Sequence, residues 1–243
     1  ILAAGLGTRM RSQRAKVLHE VLGRPLLFWS LQLARSLDVA RVVVVLGHQR
    51  EEVEVAAEAR FGRQAFRVAR QDEPRGTGHA VKQALATLDD ARDESEVIIL
   101  YGDVPLIEKH TIEHLSKARG QGPLALVATA LGDPTGYGRL LREDERLVRI
   151  VEEKDADAAT KRIQEVNAGI YAVRMDFLRR GVAALSANNA SGEFLLTDLV
   201  HTASADADVP TVTAPFVEVA GVNVRVDLAA AEARAGRRAC ARW

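Results

Sequence analysis

Leu2-Ala3-Ala4-Gly5-Leu6-Gly7-Thr8-Arg9-Met10 is the stretch on which the reading of this 243-residue chain turns. Ile1 to Ala4 is apolar and reads as the end of a strand; two glycines follow at once. Glycine adopts the left-handed backbone that a tight turn needs, and it lets peptide N–H groups approach phosphate oxygens. Arg9 adds a planar fork of donors, and Lys16, further along the same loop, adds a compact mobile charge. The combination suits a triphosphate. Two better-known phosphate loops do not fit. A dinucleotide fingerprint needs a third glycine near position 10, where Met10 stands, and a Walker loop needs Gly-Lys-Ser/Thr after the second glycine. Two glycines alone suit an ordinary strand-to-helix turn equally well.

Outward from this turn, apolar runs of strand length alternate with helical patterns. Pro25 to Leu37 spaces its leucines along one helix face. Arg41 to Leu46 contains four consecutive valines, as a strand buried on both faces would. Glu51 to Ala59, Gly76 to Leu88 and Thr111 to Ala118 read as helices; Phe66 to Ala69, Val97 to Tyr101 and Leu124 to Ala130 read as strands. This alternation predicts an α/β fold, a Rossmann-like, mostly parallel sheet flanked by helices. The second half is more irregular. Gly138 to Leu141 and Leu147 to Glu152 flank a charged turn and predict a hairpin. Val166 to Val173 reads as a strand, Met175 to Leu185 and Glu193 to Ala203 as helices, and Val212 to Val219 as a last strand. An alanine- and arginine-rich helix is expected over Asp227 to Cys240. One domain over residues 1–227 and a C-terminal helical segment over 228–243 are expected.

Composition removes several classes of function. Hydrophobic residues make up 47% and charged residues 27%, enough apolar material for a sizeable core. The 33 basic and 33 acidic side chains balance, so no general attraction to nucleic acid or to an anionic membrane is expected. Phosphate binding must then come from a local site. No run reaches the ~18 apolar residues of a membrane span. The single cysteine, Cys240, supports neither an internal disulfide nor a cysteine-rich zinc site, and a reducing, cytoplasmic compartment fits it best. The chain opens at Ile1, inside what reads as a strand, as a trimmed sequence would.

The glycine-rich stretch, followed by Lys16-Val17-Leu18-His19, closely resembles the signature of sugar-nucleotide pyrophosphorylases. Its Lys-Val-Leu-His version looks like the uridyltransferase domain of the bacterial bifunctional N-acetylglucosamine-1-phosphate uridyltransferases. The resemblance recurs in Gly76-Thr77-Gly78-His79-Ala80, Tyr101-Gly102-Asp103-Val104-Pro105, Asp133 to Arg139, Ile150-Val151-Glu152, Val166-Asn167-Ala168-Gly169-Ile170 and Gly221-Val222-Asn223. It implies a fold of the nucleotide-diphospho-sugar transferase type, with a sugar-binding second half. The implied reaction joins UTP to N-acetylglucosamine 1-phosphate and releases pyrophosphate. Another sugar 1-phosphate such as glucose 1-phosphate, or a regulatory domain that binds nucleotide sugar without turnover, are the alternatives. The hexapeptide repeats of the family's acetyltransferase domain are absent from this sequence, so no acetyl-CoA site is expected in it.

The resemblance also implies roles. Arg9, Lys16 and Asp103 would be catalytic. Leu2, Ala3, Ala4 and Gly5 would hold the nucleotide through their backbone, with Lys16, and Gln71, Gly76 and Thr77 would read the base. A carboxamide and backbone groups match uracil, although Gln71 alone reads as a surface-loop residue. Tyr101, Gly102, Asp103, Gly138, Glu152, Asn167 and Asn223 would meet the sugar; carboxylates accept from paired hydroxyls, and carboxamides both donate and accept. Asp103 and Asn223 would hold Mg2+, which takes few protein oxygens and fills its shell with phosphate and water. Asp103 follows an apolar run, where ligands of an open parallel sheet bind. Glu153 beside Glu152 leaves a solvated charge pair as the other reading. Ala15 and Val224 stand where the family usually has proline and asparagine. Weaker UTP affinity is expected from Ala15. His110, Glu113 and His114 match the spacing of an inverted zinc-protease motif, but with no third ligand apparent they read as an exposed helix face. His19 and His79 are expected to be structural hydrogen-bonding residues.

Overall fold

The computed structural model describes residues 1–241; residues 242 and 243 of the expected C-terminal segment lie outside them. The chain divides into two compact units, each assembled from separate stretches. The first comprises Ile1–Pro74, Leu100–Lys109 and the residues from Val217 onward; the second comprises Arg75–Ile99 and His110–Phe216.

The first unit is built on parallel pairing. The strand Leu2–Ala3 pairs with Val43–Leu46, which pairs with Arg67–Arg70. On its other side Leu2 bridges Tyr101, also in parallel, and Gly102 N–H donates to Leu2 O at 2.9 Å. The chain therefore places successive strands on opposite sides of Leu2–Ala3, which is a topological switch point. Val44 and Leu46 pack with Leu27, Leu31, Val53 and Phe66, from the helices Leu26–Ser36 and Arg50–Phe61 and the approach to the last strand. Each such side chain contributes about 1.5–3 kcal/mol on leaving water. The helix Arg225–Ala241 runs through the expected 227/228 boundary and belongs to this unit. Its Ala231 and Ala235 are buried against Val21, Leu26, Leu106 and Val222.

The second unit is organised by the ten-residue strand Glu165–Arg174. It runs antiparallel to Glu96–Ile99 and Leu124–Ala130, and it meets Arg139–Glu143 at the pair Val166 and Arg139. The expected hairpin forms between Arg139–Glu143 and Arg146–Val151. Its turn residues Asp144 and Glu145 hold φ of 45° and 67°, the left-handed conformation that a two-residue hairpin turn needs. Thr211–Thr213 adds in parallel to Leu124–Ala130. Apolar runs did not reveal these directions, since burial on both faces removes the alternation that marks a half-exposed strand.

Two expected elements change. The strand expected over Val212 to Val219 stops at Thr213, and a short helix, Phe216–Val219, follows. Pro215 offers no N–H to a ladder and presets the next turn. The helix expected from Glu193 starts only at Asp198. The preceding backbone is committed elsewhere: Phe194 N–H donates to Arg75 O at 2.9 Å, and Gly78 N–H donates to Phe194 O at 2.8 Å. Among the described residues no helix is long and apolar enough to cross a membrane.

Candidate active site

The carboxyl ends of the first unit's strands carry the residues singled out by sequence. Ala4 and Gly5 follow the first strand, Gln71 follows Arg67–Arg70, and Asp103 follows the Tyr101 bridge. Gln71 is buried, not a surface-loop residue, and its N–H donates to Leu46 O at 2.8 Å. Gly47 was not anticipated. A Cβ there would stand 2.8 Å from Ala4 O and 3.0 Å from Gln71 O, so this glycine lets the two neighbouring chain ends close together. The available signal was a glycine terminating the valine run. Gly102 is nearly as tight, with an added Cβ 3.0 Å from Ala3 Cβ. Gly7 is required twice over: its φ is 64°, and an added Cβ would lie 2.7 Å from Lys16 Cβ. The glycine turn thus folds directly onto the lysine stem, whereas Gly5 opens onto free space.

A compact charged cluster sits beside that turn. The Lys16 ammonium donates to Asp103 Oδ2 and, at 3.3 Å, to Asn223 Oδ1. Arg9 Nη2 donates to the same Asn223 oxygen at 3.0 Å. Lys16 and Asp103 are mostly buried, with side-chain exposures of 12% and 16%. Val222 N–H donates to Asp103 O at 2.9 Å, which ties the Asn223 segment to the aspartate backbone. Two hard oxygens, one carboxylate and one carboxamide, therefore aim at a shared cation, the role filled here by the lysine ammonium. Among the described residues no group of three or more His, Cys, Asp or Glu is placed to hold a metal. The Asp103 and Asn223 pair fits a hard divalent cation that draws the rest of its shell from phosphate oxygens and water.

Of the residues expected to meet the sugar, the second unit carries Gly138, Glu152 and Asn167, and the first carries Tyr101, Gly102, Asp103 and Asn223. Glu152 Oε1 accepts from Thr197 Oγ1 at 3.0 Å. Burial holds its pKa above the usual glutamate range; the Thr197 hydrogen bond opposes this, and Asp198, Asp155 and Glu193 reinforce it. Glu153 takes a different part. It accepts from the fully buried Arg139 at 2.6 Å and from Gly136 N–H at 3.1 Å, and Arg139 above all lowers its pKa. The two adjacent glutamates are therefore not a solvated pair: one faces Thr197 and the other anchors the 133–138 loop. Gly138 makes room for its own neighbours, since an added Cβ would stand 2.7 Å from Ile150 Cγ2 and 3.3 Å from Glu152 Oε2. Asn167 is held by Nδ2 donating to Tyr171 Oη at 2.7 Å and by Oδ1 accepting from Gly169 N–H at 2.9 Å. Both bonds cross an irregularity in the pairing between Asn167 and Tyr171. Gly76 has φ 100°, and Thr77 Oγ1 accepts from Leu196 N–H at 3.0 Å. Thr197 was not singled out by sequence, because nothing local marks a threonine as the partner of a glutamate 45 residues away.

The histidines behave as structure. His19 Nε2 is buried with no hydrogen-bond partner, while the imidazole keeps a hydrogen bond to the Arg14 backbone. Burial first, then the charges of Arg14 and Arg225, lower its pKa, and the bond to the Arg14 backbone acts to raise it. His79 Nε2 lies 3.0 Å from Gln83 Nε2. His110 and His114 are exposed with ring centroids 5.9 Å apart.

The model of the MobA-like NTP transferase domain matches residues 1–168. The chain belongs to this family. Among curated NTP transferase relatives, the bifunctional protein GlmU of Cutibacterium acnes is 44% identical over 256 aligned residues, covering 100% of this chain and 60% of that protein. The bifunctional protein GlmU of Albidiferax ferrireducens is 45% identical over 238 residues, covering 96% and 50%. The chain thus spans about half to three-fifths of the length of these relatives. A UDP-glucose pyrophosphorylase complexed with UDP-glucose shares the NTP transferase fold at TM-score 0.75 and 15% identity, covering 98% of this chain and 97% of that one.

Proposed function

We propose that the chain is a magnesium-dependent uridylyltransferase that converts UTP and N-acetylglucosamine 1-phosphate into UDP-N-acetylglucosamine and pyrophosphate. The observation that carries this reading is the convergence of Asp103, Asn223, Lys16 and Arg9 beside the glycine turn. Similarity to GlmU proteins along the chain supports the choice of substrates.

In this reading a phosphate oxygen of the sugar phosphate attacks the α-phosphorus of UTP in line. The new P–O bond forms as the bond to the bridging oxygen of the β-phosphate breaks, and pyrophosphate leaves with that electron pair. The attacking oxygen is already anionic, so no general base is needed. The difficulty is bringing two anions together. Lys16 and Arg9 offset that repulsion and stabilise charge that builds on the transferring phosphoryl group. Asp103 and Asn223 would hold Mg2+, which supplies further positive charge to the phosphates. Ala4, Gly5, Gln71, Gly76 and Thr77 bind the nucleotide. Glu152 and Asn167 bind sugar hydroxyls and the acetamido group. A cytoplasmic setting, where these substrates are made and thiols stay reduced, belongs to the same reading.

Pyrophosphate release tests it, with UTP, CTP and dTTP against a panel of sugar 1-phosphates. Preference for UTP with N-acetylglucosamine 1-phosphate is expected. Preference for another pair reassigns the substrates, and binding without release supports a silent regulatory domain.

A further inference from the structure

We infer that Asp227 is a positioning residue that aims Asn223 at the metal, so that the first turn of the C-terminal helix is part of the metal site. The inference rests on the assignment of Asn223 as a metal ligand given above. Asp227 is the third residue of the helix Arg225–Ala241. Its Oδ2 accepts from Asn223 N–H at 2.8 Å and from Val224 N–H at 3.0 Å. A carboxylate at this position satisfies amide groups that the helix leaves without partners, and it suits the positive end of the helix dipole. An ordinary cap would end there. Here the capped residue is the one whose carboxamide oxygen accepts from Lys16 and Arg9. One residue earlier, Val222 N–H is bonded to Asp103 O at 2.9 Å. The backbone of residues 222–224 is thus pinned on one side by the Asp103 main chain and on the other by the Asp227 side chain. Between the two pins stands the Asn223 side chain.

Arg225 adds a third tie. Its Nε donates to Met10 O at 3.4 Å, so the same helical turn also reaches the end of the glycine stretch. The geometry explains a sequence feature as well. Val224 contributes to the clamp through its N–H, which does not depend on the side chain. The replacement of the family's usual asparagine there leaves the clamp intact.

A cap alone predicts a loss of stability. A positioning residue predicts weaker metal binding beyond that loss. The test is a Mn2+ titration of the protein–UTP complex followed by electron paramagnetic resonance, with parallel thermal melts. Asp227→Ala is expected to weaken Mn2+ binding roughly five- to tenfold while UTP binding without metal is unchanged. In turnover assays the Mg2+ concentration for half-maximal rate rises by the same factor, and saturating Mg2+ restores most of kcat. Asp227→Asn, which keeps one acceptor oxygen, recovers most of the affinity. If Asp227→Ala does not fold, Asp227→Ser is read instead, because its hydroxyl is too short to reach both N–H groups; the same loss is expected. Unchanged Mn2+ affinity in the folded variant, with Asn223→Ala losing it, overturns the positioning role alone. Unchanged affinity in Asn223→Ala overturns the ligand assignment beneath it.

Discussion

The two units carry opposite electrostatic designs. In the first, Lys16 and Arg9 converge on the oxygens of Asp103 and Asn223, so two positive groups gather beside the glycine turn. In the second, burial above all, and then the charges of Asp198, Asp155 and Glu193, disfavour the charged form of Glu152, against the opposing hydrogen bond from Thr197. In the proposed reaction the first would meet phosphates and a metal, and the second would meet sugar hydroxyls. The contrast teaches that the two proposed recognition modes rest on separate physical means, and that each can be broken separately.

The largest break is expected at Asp103. Asp103→Ala removes a metal oxygen and leaves Lys16 without its main partner, and kcat should fall by roughly 10²–10³, the loss typical of a transition-state electrostatic group. Turnover within tenfold of the parent at limiting Mg2+ would contradict the assignment. The sugar side is broken at Glu152. Glu152→Gln should raise KM for the sugar phosphate by about 10- to 100-fold, the equivalent of about 1.5–3 kcal/mol for hydrogen bonds to a charged acceptor. Its effect on kcat should be far smaller than that of Asp103→Ala.

The same variant tests the electrostatic contrast through stability. Because the folded carboxyl of Glu152 holds its proton above the ordinary range, the folded state binds more protons than the unfolded state between the two pKa values. Stability contributed by this group is therefore complete below the unfolded value, about 4.3, and is lost as pH rises through the folded one. Glu152→Gln should raise Tm at pH 7 and lose that advantage in melts below about pH 4. A variant melting lower than the parent at pH 7 would show that the Thr197 bond outweighs burial.

Smaller effects sharpen the packing. Gly138→Ala forces a Cβ to 2.7 Å from Ile150 Cγ2 and should cost about 1–3 kcal/mol by overpacking, read as a lower denaturant midpoint. KM for the sugar phosphate should rise with it, since the same Cβ crowds Glu152. The smallest change is Ala15→Pro. Ala15 has φ −52°, close to the value proline imposes, so the substitution should add about 0.4–1 kcal/mol of stability. It should also lower KM for UTP modestly. An unchanged KM would separate loop stiffness from nucleotide affinity.

Local chemistry determined much of this protein from sequence alone. The glycine turn was legible because Gly7 must adopt a positive φ and lie against Lys16, and only glycine meets both demands. The strand–helix alternation was legible because the valine run has the length of a buried strand and the amphipathic helices carry their own periodicity. What sequence left open was partnership across distance. It could not separate Glu152 from Glu153, since adjacent carboxylates look alike until Thr197 and Arg139 claim one each. It could not give the direction of strands beside Glu165–Arg174, nor see that Phe194 exchanges backbone bonds with Arg75 and Gly78. Nor could it show Gly47 as the spacer between two strand ends, or Asp227 as the clamp on Asn223. Backbone propensity acts over a few residues and is written locally, whereas pairing, clearance and charge depend on which distant residues the folded chain brings together.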